Sequence, residues 1–189
     1  SKAVSLFCSN VRPVLRSHQH SALQYTTLQH SRLQYSAIHG AKMKNIVIAN
    51  KKGGVGKSTL AVLLVEWLNH KKIPVGIFDG DTNQTFQMWA NYCQEEGRSV
   101  TVPQAQAEIT VIDTAGAEGS STMWLQKADF IICPFKANFA DLDITVPWFR
   151  ELTPEIQKKV YFIPNMLGVA SGQKNGVEHV KNLIKEVGE

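Results

Sequence analysis

From Asn45 onward, short apolar runs alternate with longer segments of mixed polarity. "NIVIAN" (45–50), "IPVGIFD" (73–79), "EITVID" (108–113), "DFIICP" (129–134) and "KKVYFIPN" (158–165) read as strands. They are nearly continuous in apolar residues, as strands buried on both faces are. "SVTV" (99–102) reads as a shorter strand. Helices are expected at about 57–70, 84–96, 120–128, 141–153 and 175–187, the second ending near Gly97. The first is apolar almost all round, through Leu60, Ala61, Val62, Leu63, Leu64, Val65, Trp67 and Leu68, which predicts cover on most of its sides. The last sets Val177, Val180, Ile184 and Val187 along one face. Strand–helix alternation of this kind predicts an α/β fold, a mostly parallel sheet flanked by helices on both faces. Ligands in such sheets bind at the carboxyl ends of the strands.

Residues 1–42 follow another pattern. They contain a five-residue echo, "LQYTT", "LQHSR" and "LQYSA" (23–37), and that period matches neither helix nor strand. They hold four of the six histidines, His18, His20, His30 and His39, at spacings that fit no defined metal site. The two readings of this leader are translated repetitive DNA ahead of Met43 and a presequence, since transit peptides are rich in Arg and Ser and poor in acid. Either way the domain is expected at 43–189, with the leader outside it.

Charge follows the same boundary. The chain carries a net +4, but residues 1–42 contribute Lys2, Arg12, Arg16, Arg32 and Lys42 with no acidic residue, so the rest sums to −1. A basic chain suggests nucleic acid as a partner; a basic leader on a near-neutral domain does not carry that inference. Hydrophobic residues make up 43% and charged ones 19%, an ordinary balance for a globular domain. The longest apolar run, "LAVLLVEWL" (60–68), is about half what a membrane-spanning helix needs. The cysteines Cys8, Cys93 and Cys133 form no C-x-x-C pair, which argues against a disulfide framework or zinc site.

The chemistry is concentrated in "IANKKGGVGKST" (48–59). The common phosphate-loop pattern G-x-x-x-x-G-K-[ST] would place a glycine at 51, where this chain has Lys51, and a second lysine, Lys52, precedes Gly53-Gly54. A strand, then Gly53, Gly54, Val55 and Gly56, then Lys57-Ser58 opening a helix is still what a phosphate loop requires. Glycines let backbone N–H groups turn inward around phosphate oxygens, and the helix N-terminus adds a favourable dipole. Lys57 would reach the β- and γ-phosphates, Ser58 would ligate Mg2+, and Thr59 would meet the α-phosphate. The blander alternative is a flexible glycine-rich turn.

"KKGGVGKST" resembles the deviant Walker A motif, K-G-G-x-G-K-[ST], of the ParA/MinD ATPases, relatives of nitrogenase iron protein. The resemblance implies a P-loop NTPase fold binding ATP and Mg2+. It implies that Lys52 reaches across an ATP-sandwiched homodimer to the partner's nucleotide and stabilises the transferring phosphoryl group, as an arginine finger does. "IFDGDTNQT" (77–85) is similar to the family's D-x-D-P-Q segment, with Thr82 in place of the proline. It implies that Asp81 positions the attacking water and that Asp79 supports the Mg2+ shell or the signature lysine. A solvated turn is the bland reading of that pair. "TVIDTAG" (110–116) is similar to Walker B, with Asp113 holding Mg2+ through water and Gly116 near the γ-phosphate. "ADFIICPFKANFADLD" (128–143) matches the segment in which Pro134 ends a strand. "FIPN" (162–165) places Asn165 where the family reads adenine, although an Asn at a strand end also serves simply as a turn residue.

The resemblance covers nearly all of 44–189. This domain is short, the stretch between Asp81 and Walker B is abbreviated, and the sequence ends after the last helix where relatives add a strand and helix. Residues 1–42 lack a helix-turn-helix pattern. The implied function is a ParA-like ATPase of DNA segregation, bacterial and cytoplasmic, at the nucleoid when bound to nonspecific DNA, and triggered by a ParB-like centromere-binding partner. Lys174, Lys181 and Lys185 on one side of the last helix offer phosphate contacts, but Glu178 sits among them and a solvated helix face is the stronger reading. A MinD-like positioning ATPase is the first alternative, but the end "VKNLIKEVGE" is short and closes on acid, so stable membrane association is not expected. A slow ATP-dependent interaction switch is the second. An iron–sulfur relative would need a partner for Cys133, and Cys93 falls inside an expected helix, so Cys133 reads as a core residue.

Overall fold

The computed structural model describes residues 43–116, 121–167 and 171–188; the expected leader, 1–42, lies outside the described residues. Five parallel strands form one sheet: β1 (Lys44–Ile48), β2 (Val75–Gly80), β3 (Ile109–Thr114), β4 (Phe130–Phe135) and β5 (Val160–Pro164). Their order is β2-β3-β1-β4-β5. The chain runs from β1 out to the β2 edge, back through β3, and then to β4 on the other side of β1. The carboxyl end of β1 is therefore the topological switch point at which ligands bind in such sheets.

The helices are α1 (Lys57–His70), α2 (Thr85–Glu95), α3 (Ser121–Lys127), α4 (Phe139–Glu151), α5 (Pro154–Gln157) and α6 (Ser171–Gly188). Val47, Ala49, Ile112 and Ile131 pack with Leu125 of α3 and Ile156 of α5. Alternate strand residues such as Ile46, Ile48 and Val111 are also buried, on the opposite face by the period of the strand, where α1 covers β1 and β3. A further cluster joins Cys133 and Phe135 of β4, Phe162 of β5, Val146 and Phe149 of α4, and Val180 and Leu183 of α6. Helices thus cover both faces, as the alternation predicts.

Several boundaries shift for local reasons. Helix α4 begins at Phe139 and not near 141, because Asn138 caps it by accepting the Asp141 N–H at 2.9 Å. Helix α2 ends where Gly97 turns left-handed at φ 74. Residues 99–102 form no strand. Val102 N–H makes one bond to Val75 O at 2.9 Å, the Val100 carbonyl accepts from the Asn69 side chain at 2.8 Å, and Pro103 follows. A single bond to β2, followed by a proline without an N–H, does not make a ladder. The expectation for α1 also fails in part: Ala61, Leu64, Val65 and Leu68 are buried, whereas Leu63 is 59% exposed. Apolar character all round did not bring cover all round.

Among the described residues no helix is long and apolar enough to cross a membrane.

Candidate functional site

The carboxyl ends of the strands gather the expected residues. The loop after β1 turns through left-handed Gly54 (φ 70) and Gly56 (φ 89), conformations that side chains rarely adopt. Val55 between them is fully buried and anchors the loop. Gly56 is the residue before α1, and its carbonyl accepts the Leu60 N–H at 3.0 Å. Gly53 and Gly54 are exposed, as are Lys51 and Thr59, while Lys52 and Ser58 are half-buried.

Lys57, the first residue of α1, is buried. Its Nζ donates to Lys52 O at 3.3 Å, so the amine spans the base of the loop. Burial lowers its pKa, and the Asp113, Asp81 and Cys133 groups act in the other direction. Gly116 closes over it: a Cβ there would stand 3.3 Å from the Lys57 Nζ and 3.2 Å from Lys51 O.

Asp113 lies in register with Ile48 of β1 on one side and Asp79 of β2 on the other. It is 1% exposed, and among the described residues neither carboxylate oxygen accepts a hydrogen bond. Burial pushes its carboxyl up to about 6. The Ser58 hydroxyl and the Lys57 ammonium pull it down, and the Asp79 and Asp81 carboxylates add to the rise. The Ser58 hydroxyl faces the carboxylate without completing hydrogen-bond geometry. A buried carboxylate with no partner is costly, and a cation is what such a group lacks. Among the described residues no three His, Cys, Asp or Glu side chains group as a metal cage. The donor set instead fits Mg2+ as bound in phosphate sites, through one or two protein groups with waters and phosphate oxygens.

Asp79 and Asp81 divide their work. Asp79 Oδ2 accepts the Phe86 and Gln87 N–H groups at 2.9 and 3.0 Å, and Oδ1 accepts the Asp81 N–H at 3.0 Å. All three of these bonds go to backbone, fixing the start of α2 and the turn that carries Asp81. Among the described residues the Asp81 Oδ1 accepts only from Asn83, at 3.0 and 3.1 Å. Asp81 is half-buried and acts on both Lys57 and Asp113.

Asn165 stands at the end of β5, and its Nδ2 donates to Val55 O at 2.9 Å. The residue expected to read a base is thus bonded to the phosphate loop.

A second set of contacts was not evident in the sequence. Asn50, buried after β1, donates through Nδ2 to Pro134 O at 2.9 Å and to Thr145 Oγ1 at 3.0 Å, and its Oδ1 accepts the Lys52 N–H at 2.9 Å. Its only sequence signal is a polar residue closing an apolar run. Pro134 fits within β4 because β1 pairs only as far as Ile132; beyond that point the missing N–H leaves no ladder bond unmade.

Cys133 is fully buried in the cluster between α4 and α6, and burial holds its thiol well above the ordinary value. On α6, Lys174, Lys181 and Lys185 are exposed, and Lys181 pairs with Glu178 at 2.9 Å.

The family described as the CobQ/CobB/MinD/ParA nucleotide binding domain matches residues 46–188. Protein ParA of Rhizobium radiobacter is 30% identical over 117 residues, 54% of this chain and 53% of that one. The chain therefore spans about half the length of this relative. A plasmid partition protein from Borrelia burgdorferi is similar in structure with a TM-score of 0.62 at 18% identity, over 74% of this chain and 86% of that one. A second, from Borrelia burgdorferi B31 and bound to AMPPNP, gives 0.60 at 18%, over 75% and 83%. Apo McdA of Cyanthece gives 0.57 at 16%, over 75% and 82%. At such identities the structural likeness shows the fold alone.

Proposed function

Because the chain belongs to the CobQ/CobB/MinD/ParA nucleotide-binding domain family, we propose that it binds and hydrolyses Mg2+-ATP within an ATP-dependent homodimer, as a partition ATPase. The observation that carries this reading is the pairing of functions at the end of β1 and β3: a buried Lys57 amine at the base of a left-handed glycine loop, beside a buried Asp113 carboxylate with no hydrogen-bond donor among the described residues. One group suits phosphate and the other suits a divalent cation. The relative bound to AMPPNP supports an adenine nucleotide as the ligand.

In this reading Gly53, Gly54, Val55 and Gly56 cradle the phosphates. Lys57 holds the terminal phosphates, Thr59 meets the α-phosphate, and Ser58 and Asp113 hold Mg2+, which when bound neutralises developing phosphate charge. Asp81 orients the attacking water. Asp79 acts through the backbone, by fixing the turn on which Asp81 stands. Lys52 has its backbone tied down, and among the described residues its side chain makes no hydrogen bond or ion pair, consistent with a role toward a second copy. DNA and a ParB-like partner complete the proposal; exposed Lys174 and Lys185 are the candidate phosphate contacts.

The test is ATP binding and turnover in wild type, Lys57→Ala and Lys52→Ala. Lys57→Ala is expected to lose nucleotide binding. Lys52→Ala is expected to keep it and to lose roughly 10²–10³-fold in turnover, the scale of a group that stabilises transition-state charge. Mixing Lys52→Ala with Asp81→Ala should restore turnover, because one mixed site then holds both groups. Wild-type turnover by Lys52→Ala would refute the role in trans, and a wild-type chain that binds no nucleotide would refute the reading itself. DNA binding should be stronger with ATP than with ADP; equal binding removes the segregation part.

A further inference from the structure

Asn165 lies 110 residues beyond Val55 in sequence, yet its side chain closes on the Val55 carbonyl at 2.9 Å. Three further features fix it there. Its N–H donates to Phe135 O at 2.8 Å, joining it to the end of β4. Its Oδ1 accepts the Met166 N–H at 2.9 Å, and Met166 adopts a left-handed φ of 51 to supply that bond. Because Met166 claims the oxygen, the nitrogen must face Val55, so the neighbours set the orientation of the amide. Finally, a Cβ on Gly56 would fall 2.5 Å from Asn165 Nδ2. The amide occupies the space that any side chain at 56 would need.

The consequence lies in a single peptide plane. The Val55 C=O and the Gly56 N–H belong to one rigid trans unit and point in opposite directions. A phosphate-binding loop needs its N–H groups turned inward and its carbonyls turned away. A carbonyl turned away still needs a partner. Asn165 supplies that partner for Val55, and by holding the carbonyl outward it holds the Gly56 N–H inward. Without it the plane is free to rotate and present an oxygen to an anion.

We propose that Asn165 is a positioning residue that latches the phosphate loop through the Val55 peptide, an inference that rests on the nucleotide-binding reading above. The latch makes the segment after β5 part of the phosphate site. It also predicts an effect that does not depend on the base.

The experiment compares the wild-type chain with Asn165→Ala for binding of ATP and of inorganic tripolyphosphate, which has no base, with thermal melts to verify folding. The latch predicts losses of roughly tenfold, equal for both ligands, the scale of one lost hydrogen bond. A residue that reads the base would instead lose ATP affinity and leave tripolyphosphate unchanged, which overturns the proposal. Unchanged binding of both ligands also overturns it. Should Asn165→Ala melt below the assay temperature, Asn165→Ser replaces it: its hydroxyl is too short to reach Val55, and the same outcomes apply. A wild-type chain that binds neither ligand removes the nucleotide reading and the latch together. Wild-type binding with an unaffected variant removes the latch alone.

Discussion

Asn50 and Thr145 are 95 residues apart in sequence and form a buried polar pair, with Asn50 Nδ2 to Thr145 Oγ1 at 3.0 Å and Thr145 Oγ1 to Asn50 Oδ1 at 3.2 Å. The pair ties the end of β1 to the middle of α4. It does so two residues before Pro147, which removes a backbone bond from that helix. The same Asn50 oxygen holds the Lys52 N–H, so the helix and the lysine-bearing loop share one anchor.

Replacing Thr145 by Val keeps the shape and deletes the hydroxyl. Asn50 retains its bonds to Pro134 and Lys52 but loses a buried partner. Thr145→Val is expected to cost about 1–3 kcal/mol, the penalty for a buried polar group left short of a bond. Denaturant unfolding measures it. A variant as stable as wild type would show that the pair is replaceable by packing.

Asp113→Asn is expected to stabilise the chain and disable it. The carboxyl titrates at about 6 in the fold against an ordinary 3.8, so between those values the native state holds more protons than the unfolded state. Stability contributed by this group therefore falls as pH rises through that window. Above pH 7 the ionised form costs up to about 3 kcal/mol, at about 1.4 kcal/mol per unit. Asn removes the charge, so without nucleotide and Mg2+ the melting midpoint at pH 7.5 should rise by a few degrees. The gain should shrink toward pH 4. Mg2+ should no longer strengthen ATP binding. A variant that is less stable at pH 7.5, with a gap independent of pH, contradicts the account.

The parallel α/β order was legible because the strands that build it are buried on both faces; β3, with all six residues buried, is the clearest case. The candidate site was legible as a cluster at the strand ends because a glycine loop and strand-end carboxylates announce themselves by their spacing. What the sequence hid were partnerships across the sheet. In the sequence Asn50 is the polar end of an apolar run and Asn165 a turn residue at a strand end, and only the order β1-β4-β5 brings their amides to Thr145 and Val55. Leu63 shows the limit of pattern in the other direction. An apolar helix face says that cover would be favourable, not that the rest of the described chain provides it.

Asp79→Ala removes the acceptor of three backbone N–H groups, those of Asp81, Phe86 and Gln87. Two of these are orphan donors in the first turn of α2, whose own preceding residue, Gln84, makes no side-chain cap. The expected cost is about 1–2 kcal/mol, the scale of a lost N-terminal cap. Hydrogen exchange at Phe86 and Gln87 should accelerate in the variant, while the amides of β3 keep their protection. Equal protection at Phe86 would mean that water replaces the carboxylate without penalty.

Gly176→Ala sets two opposed effects against each other. Inside a helix, Ala is favoured over Gly by about 1 kcal/mol, and Gly176 lies within α6. However, a Cβ at this position would meet Ala137 O at 2.5 Å and its carbonyl carbon at 2.8 Å. Those atoms are backbone in the connection between β4 and α4, and Asn138 beside them is committed to capping α4. The contact cannot be relieved by turning a side chain, so α6 must shift away from Val146, Phe149 and Phe162, which it helps to bury. Overpacking of this kind costs about 1–3 kcal/mol, which exceeds the propensity gain. Gly176→Ala is therefore expected to lower the melting midpoint despite the better helix former, and calorimetry on the full chain decides between the two terms. A raised midpoint would mean that α6 accommodates the methyl without disturbing its contact with β4.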